Sequence, residues 1–243
     1  MVNSVSELVG WTYSLAPLGD RALVVTLESK SESGLWQVAA ALAESLRSAR
    51  LHWIADVVPA YASVTVVYDM ARLPIHETAG AIPYEAAAAE VHRILKRSRE
   101  TEAAIPRVVD IPVCYGGLYG PDLAACAARA GMEEAAFAER HASAIYRVAM
   151  IGFMPGFPYL TGLPPELGQP RLASPRSVVP AGSVGIAGGQ TGIYPLSTPG
   201  GWQLIGRTPF RLFDPERSEP FLLRAGDALR FVPIRAEDFT CES

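Results

Sequence analysis

Eight side chains in the second half of the sequence have the types needed to hold and process a small polar molecule: His141, Tyr159, Arg176, Ser183, Gln190, Tyr194, Trp202 and Arg207. Arg176 stands between Pro175 and Ser177, and Arg207 follows Gly206. A planar guanidinium on such stiff or sharply turned backbone suits a carboxylate or phosphoryl group, which it can meet through two parallel hydrogen bonds. The plainer reading of each arginine is a salt bridge. Lysine is nearly absent, with only Lys30 and Lys96, so a clamp in this stretch falls to arginine. Tyr159, Gln190, Tyr194 and Trp202 can line the same cleft, although rings in a barrel are more often core. Phe153 and Phe157 are expected to pack inward.

His141 is the only histidine after position 92 and falls near the end of an expected helix. A helix C-terminus favours charged imidazole, and the ordinary role there is packing or capping. Its place just ahead of a glycine- and proline-rich loop also suits a general base or ligand contact. His141 and Arg176 are the catalytic candidates, and the other six side chains are candidate substrate contacts. Ser183 lies in Ala181-Gly182-Ser183-Val184-Gly185, close to the nucleophile elbow of serine hydrolases. That elbow needs a helix after it, and Ile186-Ala187-Gly188-Gly189 starts none. A hydrogen-bonding role for Ser183 follows instead. The glycines from Gly182 to Gly192 do not make a dinucleotide fingerprint. There is no Walker A lysine, no H-E-x-x-H and no carboxylate cluster for a metal.

These residues sit in a run from Tyr146 to Thr208 that is dense in glycine and proline. Rigid loops around a cleft are the natural product of that composition. Short strands are expected at Tyr146–Ile151, Ser183–Ala187, Thr191–Tyr194, Trp202–Gly206, Phe210–Phe213, Phe221–Leu223 and Ala228–Pro233, with helical spacing absent between them. Many short strands without helices suggest a closed or nearly closed β-barrel. Ahead of it, Leu123–Ala130 and Met132 to about Ala144 read as helices.

The first hundred residues pattern differently. A loose leader over residues 1–11 precedes strands at Tyr13–Leu18 and Arg21–Leu27. Ser33 suits the cap of a helix to about Arg50, in which Leu35, Val38, Ala39, Leu42 and Leu46 share a face. Strands at Ile54–Val58 and Ser63–Tyr68 follow, then a helix from Tyr84 to about Arg97 and a strand at Val108–Val113. The order β-α-β-β-α-β is that of a ferredoxin-like unit with an extra strand in front. The last strand can belong to either domain. The polar stretch from Lys96 to Glu102 marks the boundary. The fold class is therefore α+β, with domains at 12–105 and 106–243.

The 243 residues are 49% hydrophobic and 19% charged, enough for ordinary cores. A net charge of −4 argues against binding nucleic acid by phosphate neutralisation. Cys114, Cys126 and Cys241 are odd in number and lack metal spacing, which suits a reducing compartment. No secretory leader and no membrane-length apolar run is read.

The motifs G-F-x-P-G-F-x-Y-L from Gly152 and P-G-G-W-x-x-I-G from Pro199 resemble those of the family formed by the B subunits of bacterial 5-oxoprolinase. That family is also labelled allophanate hydrolase subunit 1 and includes a histidine-kinase inhibitor. Leu18-Gly19-Asp20, Ser63–Asp69, Ile111-Pro112-Val113-Cys114-Tyr115 and His141 with Tyr146-Arg147-Val148 extend the resemblance over nearly the whole chain. It implies a ferredoxin-like domain followed by a cyclophilin-like β-barrel. It implies a cytoplasmic complex with subunits A and C that opens 5-oxoproline to L-glutamate. ATP, with Mg, would be co-substrate, and no tightly bound cofactor or nucleic-acid or membrane partner is implied. Alternatives within the resemblance are a regulatory histidine-kinase inhibitor and a carboxyltransferase-type component for urea or allophanate.

Overall fold

The computed structural model describes residues 6–8, 11–29, 34–73, 82–97 and 107–240, and the chain divides into two compact units, Met1–Ile105 and Pro106–Ser243. Ser33, Cys241 and the polar residues 98–102 lie outside the described residues.

The first unit runs β1 (Ser6–Leu8), β2 (Trp11–Leu18), β3 (Ala22–Glu28), α1 (Leu35–Ser48), β4 (Ile54–Pro59), β5 (Ser63–Tyr68) and α2 (Pro83–Arg97). Its antiparallel sheet has the order β1-β2-β3-β5-β4. The crossover from β3 through α1 to β4 leaves a gap that β5 fills, which is the split β-α-β of a ferredoxin-like unit. The place beside β3 is taken by β2, which precedes it in sequence. Residues 6–8, read from sequence as part of a loose leader, add an edge strand to β2. Strand alternation drives the core. Leu23, Val25 and Leu27 of β3 and Val64, Val66 and Tyr68 of β5 point to one buried face. The helices close over that face with Ala39, Leu42, Ala43 and Leu46 of α1 and Ala87, Val91, Ile94 and Leu95 of α2.

The second unit contains β6 (Val108–Tyr115), α3 (Leu123–Arg129), α4 (Glu134–Ala142), β7 (Ile145–Ile151), β8 (Pro158–Thr161), β9 (Arg176–Val179), β10 (Ser183–Ala187), β11 (Gln190–Ile193), β12 (Thr198–Gly200), β13 (Gln203–Arg207) and β14 (Ala228–Pro233). Seven of these strands close into a barrel in the order β10-β11-β8-β7-β14-β6-β13. The strand after α2 is therefore β6 of the barrel. It pairs in parallel with β14, Ala228 opposite Val108 through Pro233 opposite Val113, and antiparallel with β13. β9 and β12 form a separate two-stranded ribbon. The segments Phe210–Phe213 and Phe221–Leu223, expected as strands, make only one bridge, between Phe213 and Phe221. Prolines at 209, 215 and 220 hem them in and limit the donors a ladder would need.

Alternation along β10 and β11 divides the second unit into two cores. Val184, Ile186 and Ile193 face the barrel interior with Ile111, Val113, Tyr146, Val148, Leu160 and Phe231. The opposite face carries Ala187, Tyr194 and Leu204, packed with Phe157, Val179 and Trp202 in a second apolar layer outside the barrel.

Candidate functional site

The outer layer is built on missing side chains. Gly185 and Gly192 face each other across β10 and β11. A Cβ on Gly192 would lie 2.9 Å from the Pro158 carbonyl and 3.0 Å from the Phe157 ring; one on Gly185 would lie 3.1 Å from Trp202 Cβ. The two glycines thus leave a shelf on which Phe157 and Trp202 rest. Ring pairs run across it: Phe157 with Tyr159 at 4.9 Å, with Tyr194 at 5.2 Å and with Trp202 at 5.5 Å, all edge-on. Such geometry matches the ring quadrupoles and adds to area burial. Arg171 lies over Trp202, 6.0 Å from the ring centre. By strand alternation Gln190 belongs to the same outer face, two residues from Gly192 towards the β10–β11 turn.

The loop over this layer is strained. Phe153 has φ +67°, and Met154 N donates to Gly152 O at 2.8 Å around it, a γ-turn with positive φ. A bulky side chain in that backbone region is unusual. The ring packs edge-on against Phe157 yet is 63% exposed, so the expected inward packing holds for Phe157, 1% exposed, and not for Phe153.

Arg176 starts β9, and its guanidinium donates to Asp122 Oδ1 at 2.6 Å and to the Trp202 carbonyl at 3.4 Å. Asp122 stands in the N-cap position of α3 but makes no capping bond. Its other oxygen accepts from Leu204 N at 2.6 Å, while its own N–H donates to Leu204 O at 2.9 Å. The Arg176 charge is thus spent on a tie between β9, α3 and β13. Asp122 is absent from the eight candidates because an acid just ahead of a helix ordinarily serves as a cap.

His141 leaves the last turn of α4 and enters the barrel, where it has no exposed surface. Tyr115 Oη lies 2.8 Å from Nδ1 and Thr191 Oγ1 lies 3.1 Å from Nε2. Thr191 spends its proton on the Gly185 carbonyl at 3.0 Å, so it accepts from Nε2–H, and Tyr115 donates to Nδ1. The ring stacks on Phe231 at 4.7 Å. Burial pushes the imidazole pKa down to about 3, overriding the helix end that favours charge. Burial, then the neighbouring Tyr146, pushes the Tyr115 hydroxyl well above the usual phenol range. Tyr146 in turn donates to the His141 carbonyl at 2.7 Å. A neutral imidazole satisfied at both nitrogens joins α4 to β6 and β11 and faces no cleft.

Ser183 and Arg207 lie opposite each other at one end of the barrel wall. Ser183 Oγ donates to the Pro180 carbonyl at 2.7 Å, holding the turn that enters β10. Arg207 Nε donates to the Ala181 carbonyl at 2.7 Å, and its guanidinium lies over Phe239, 5.8 Å from the ring centre. The two line, or adjoin, a cleft of about 460 Å³ whose walls include Pro195, Leu196, Pro209, Phe210 and Phe213. The eight candidates therefore separate three ways. Tyr159, Gln190, Tyr194, Trp202 and Arg176 share the outer layer, Ser183 and Arg207 stand at its end, and His141 is inside. Tyr194 joins the first two groups, since its backbone bonds Gly182 N at 2.7 Å and Ser183 O at 2.9 Å. Among the described residues no three His, Cys, Asp or Glu side chains converge as a metal site.

The closed barrel with one parallel pair follows an α+β unit, and the chain that forms them is a carboxyltransferase-domain protein: residues 13–223 match the family described as carboxyltransferase domain, subdomain C and D. Two relatives are both named as the B subunit of 5-oxoprolinase. That of Bacillus subtilis (strain 168) is 41% identical over 228 residues, covering 93% of this chain and 95% of the relative. That of Escherichia coli O157:H7 is 44% identical over 222 residues, covering 89% and 94%. The chain belongs to this family of 5-oxoprolinase B subunits. Among solved structures, TTHA0988 superposes with a TM-score of 0.73 at 37% identity, over 92% of this chain and 41% of that longer one.

Proposed function

We propose that this chain is the B subunit of a cytoplasmic, ATP-dependent 5-oxoprolinase that opens 5-oxoproline to L-glutamate with subunits A and C. The observation that carries the reading is the match, nearly end to end, to relatives named for that subunit. The chemistry suits a shared site. A lactam is a stabilised amide, and transfer of a phosphoryl group from ATP to its oxygen makes the ring carbon electrophilic. Water then adds to that carbon, the C–N bond breaks to free the amine and leave an acyl phosphate, and a second water hydrolyses the acyl phosphate, giving ADP, phosphate and glutamate. The protein's task is to hold a small anion and stabilise developing charge. The free, buried thiols of Cys114 and Cys126 suit a reducing compartment.

The family description favours one second reading, a carboxyltransferase-type component acting on urea or allophanate. One experiment separates them. The chain is co-purified with its A and C partners and assayed for ATP-dependent glutamate release from 5-oxoproline, and separately for biotin-dependent turnover of urea. Glutamate release supports the first reading. Turnover of urea alone replaces it with the second.

A further inference from the structure

We infer that the cleft beside Arg207 is a binding site for a small monocarboxylate with a compact apolar body, and that Arg207, not Arg176, is the residue that holds its charge. The site itself stands on geometry, and only the identity of its natural guest, the lactam acid, rests on the function proposed above.

The two arginines of the motif-rich stretch differ in what already satisfies them. Arg176 has a carboxylate partner at 2.6 Å. No carboxylate of the described residues forms an ion pair with Arg207. One nitrogen, Nε, is committed to the Ala181 carbonyl, and one face lies over Phe239, itself packed against Tyr119 with ring centres 4.3 Å apart. These contacts fix the plane of the guanidinium and leave its terminal N–H groups for a guest. A fixed plane lowers the ordering cost of a two-point contact to a carboxylate.

The position is enforced by the backbone beneath it. Gly182 has φ +83°, and a Cβ there would lie 2.3 Å from the Thr208 carbonyl and 3.4 Å from Arg207 Cγ. Only glycine lets the turn before β10 press so closely on the end of β13. Most of the remaining wall is apolar and stiff, formed by Pro195, Leu196, Pro209, Phe210 and Phe213. Its volume of about 460 Å³ falls in the range of small-molecule sites.

Charge and donors select a carboxylate over a phosphate. Arg211, the other cation of the wall, pairs with Asp214 at 3.1 Å. Three of the nearby backbone donors are occupied: Gly182 N by Tyr194 O, Thr208 N by Gly182 O, and Phe210 N by Thr208 Oγ1. One guanidinium with no carboxylate partner among the described residues, and with these three amides already spent, matches one negative charge better than the several donors a phosphate cradle uses.

The test is a titration of the full chain at low salt, followed by NMR and calorimetry. The probes are L-5-oxoproline, cyclopentanecarboxylate, the neutral 5-oxoproline amide and inorganic phosphate. Both carboxylates should bind, with shifts mapping to Leu196 and Phe213, and the amide and phosphate should bind at least about ten-fold more weakly, the size expected for loss of a charged hydrogen-bonded pair. Arg207→Gln should weaken both carboxylates by about ten-fold or more, while Arg140→Gln, at a residue that pairs with Glu166 and does not line the cleft, changes them by less than about three-fold. If Arg207→Gln fails to fold, Arg207→Lys keeps the charge and removes the planar fork, and the wild-type shift map still reports the location. Equal binding by wild type and Arg207→Gln, no binding of either carboxylate, or a preference for phosphate would overturn the site. Binding of cyclopentanecarboxylate without 5-oxoproline would keep the site and remove the lactam as its guest.

Discussion

Arg176 Nη2 and Asp122 Oδ1 stand 2.6 Å apart, with the side chains 29% and 13% exposed. The same carboxylate also accepts from Leu204 N. Removing the acid therefore strands both a half-buried cation and a backbone donor, whereas removing the arginine leaves the acid its bond from Leu204 N and costs the Trp202 carbonyl only a long contact at 3.4 Å. We expect Arg176→Gln to destabilise the barrel unit by about 1–2 kcal/mol after allowing for solvent screening, and Asp122→Ala by about 2–4 kcal/mol. Urea unfolding followed at Trp202 by fluorotryptophan NMR reads this unit, because Trp11, Trp36 and Trp53 all belong to the other. A smaller loss for Asp122→Ala than for Arg176→Gln would refute the assignment.

His141 gives a pH dependence with a definite sign. Its folded pKa, about 3, lies below the ordinary value of 6.5. Below pH 6.5 the unfolded chain takes up a proton that the folded chain refuses. This contribution is fully present above pH 6.5 and is lost as pH falls towards 3, with a limiting slope of about 1.4 kcal/mol per pH unit. His141→Gln should flatten the barrel's stability profile between pH 6.5 and about 4.5 relative to wild type. Nitrogen-15 NMR of the wild-type ring should show Nε2 protonated and Nδ1 bare throughout that interval. An imidazolium signal at about pH 5 would show the assignment to be wrong.

Phe153 carries backbone strain at φ +67° on an exposed ring. Phe153→Ala keeps the left-handed cost and Phe153→Gly removes it. The glycine variant should exceed the alanine variant in stability by about 1–2 kcal/mol. Equal stability would mean that the γ-turn is absent in solution.

Gly192 is the floor of the aromatic layer. A methyl group there meets the Pro158 carbonyl at 2.9 Å and the Phe157 ring at 3.0 Å. Gly192→Ala should cost about 1–3 kcal/mol through overpacking and should shift the Trp202 resonance, since Phe157 must move against it. A silent Trp202 signal would separate the two rings and sink the shelf.

Much of the architecture was written in local pattern. Short runs between turn signals marked β10, Ser183–Ala187, and β14, Ala228–Pro233, to the residue, and helical spacing found α1 and α2. β8, β9 and β12 were illegible. Each has three or four residues and a proline in or beside it, and such segments become strands only because a neighbour is already in place. The candidate site was legible as residue types but not as partnerships. Nothing in the spacing of Asp122 and Arg176, or of His141, Tyr115 and Thr191, announces that they meet.

The sequence by itself determined an α+β chain of two units, the barrel, the family and the stretch from which the outer layer is made, because period, turn chemistry and motif are properties of neighbours along the chain. Only the tertiary structure decided which charges are spent. Closing the barrel buried His141 as a neutral ring, brought Asp122 to Arg176, and left Arg207 with a carbonyl and an aromatic face but no described acid. Whether an ionisable group is free to act depends on what folding sets within a few ångströms of it, and those contacts join residues that sequence order keeps far apart.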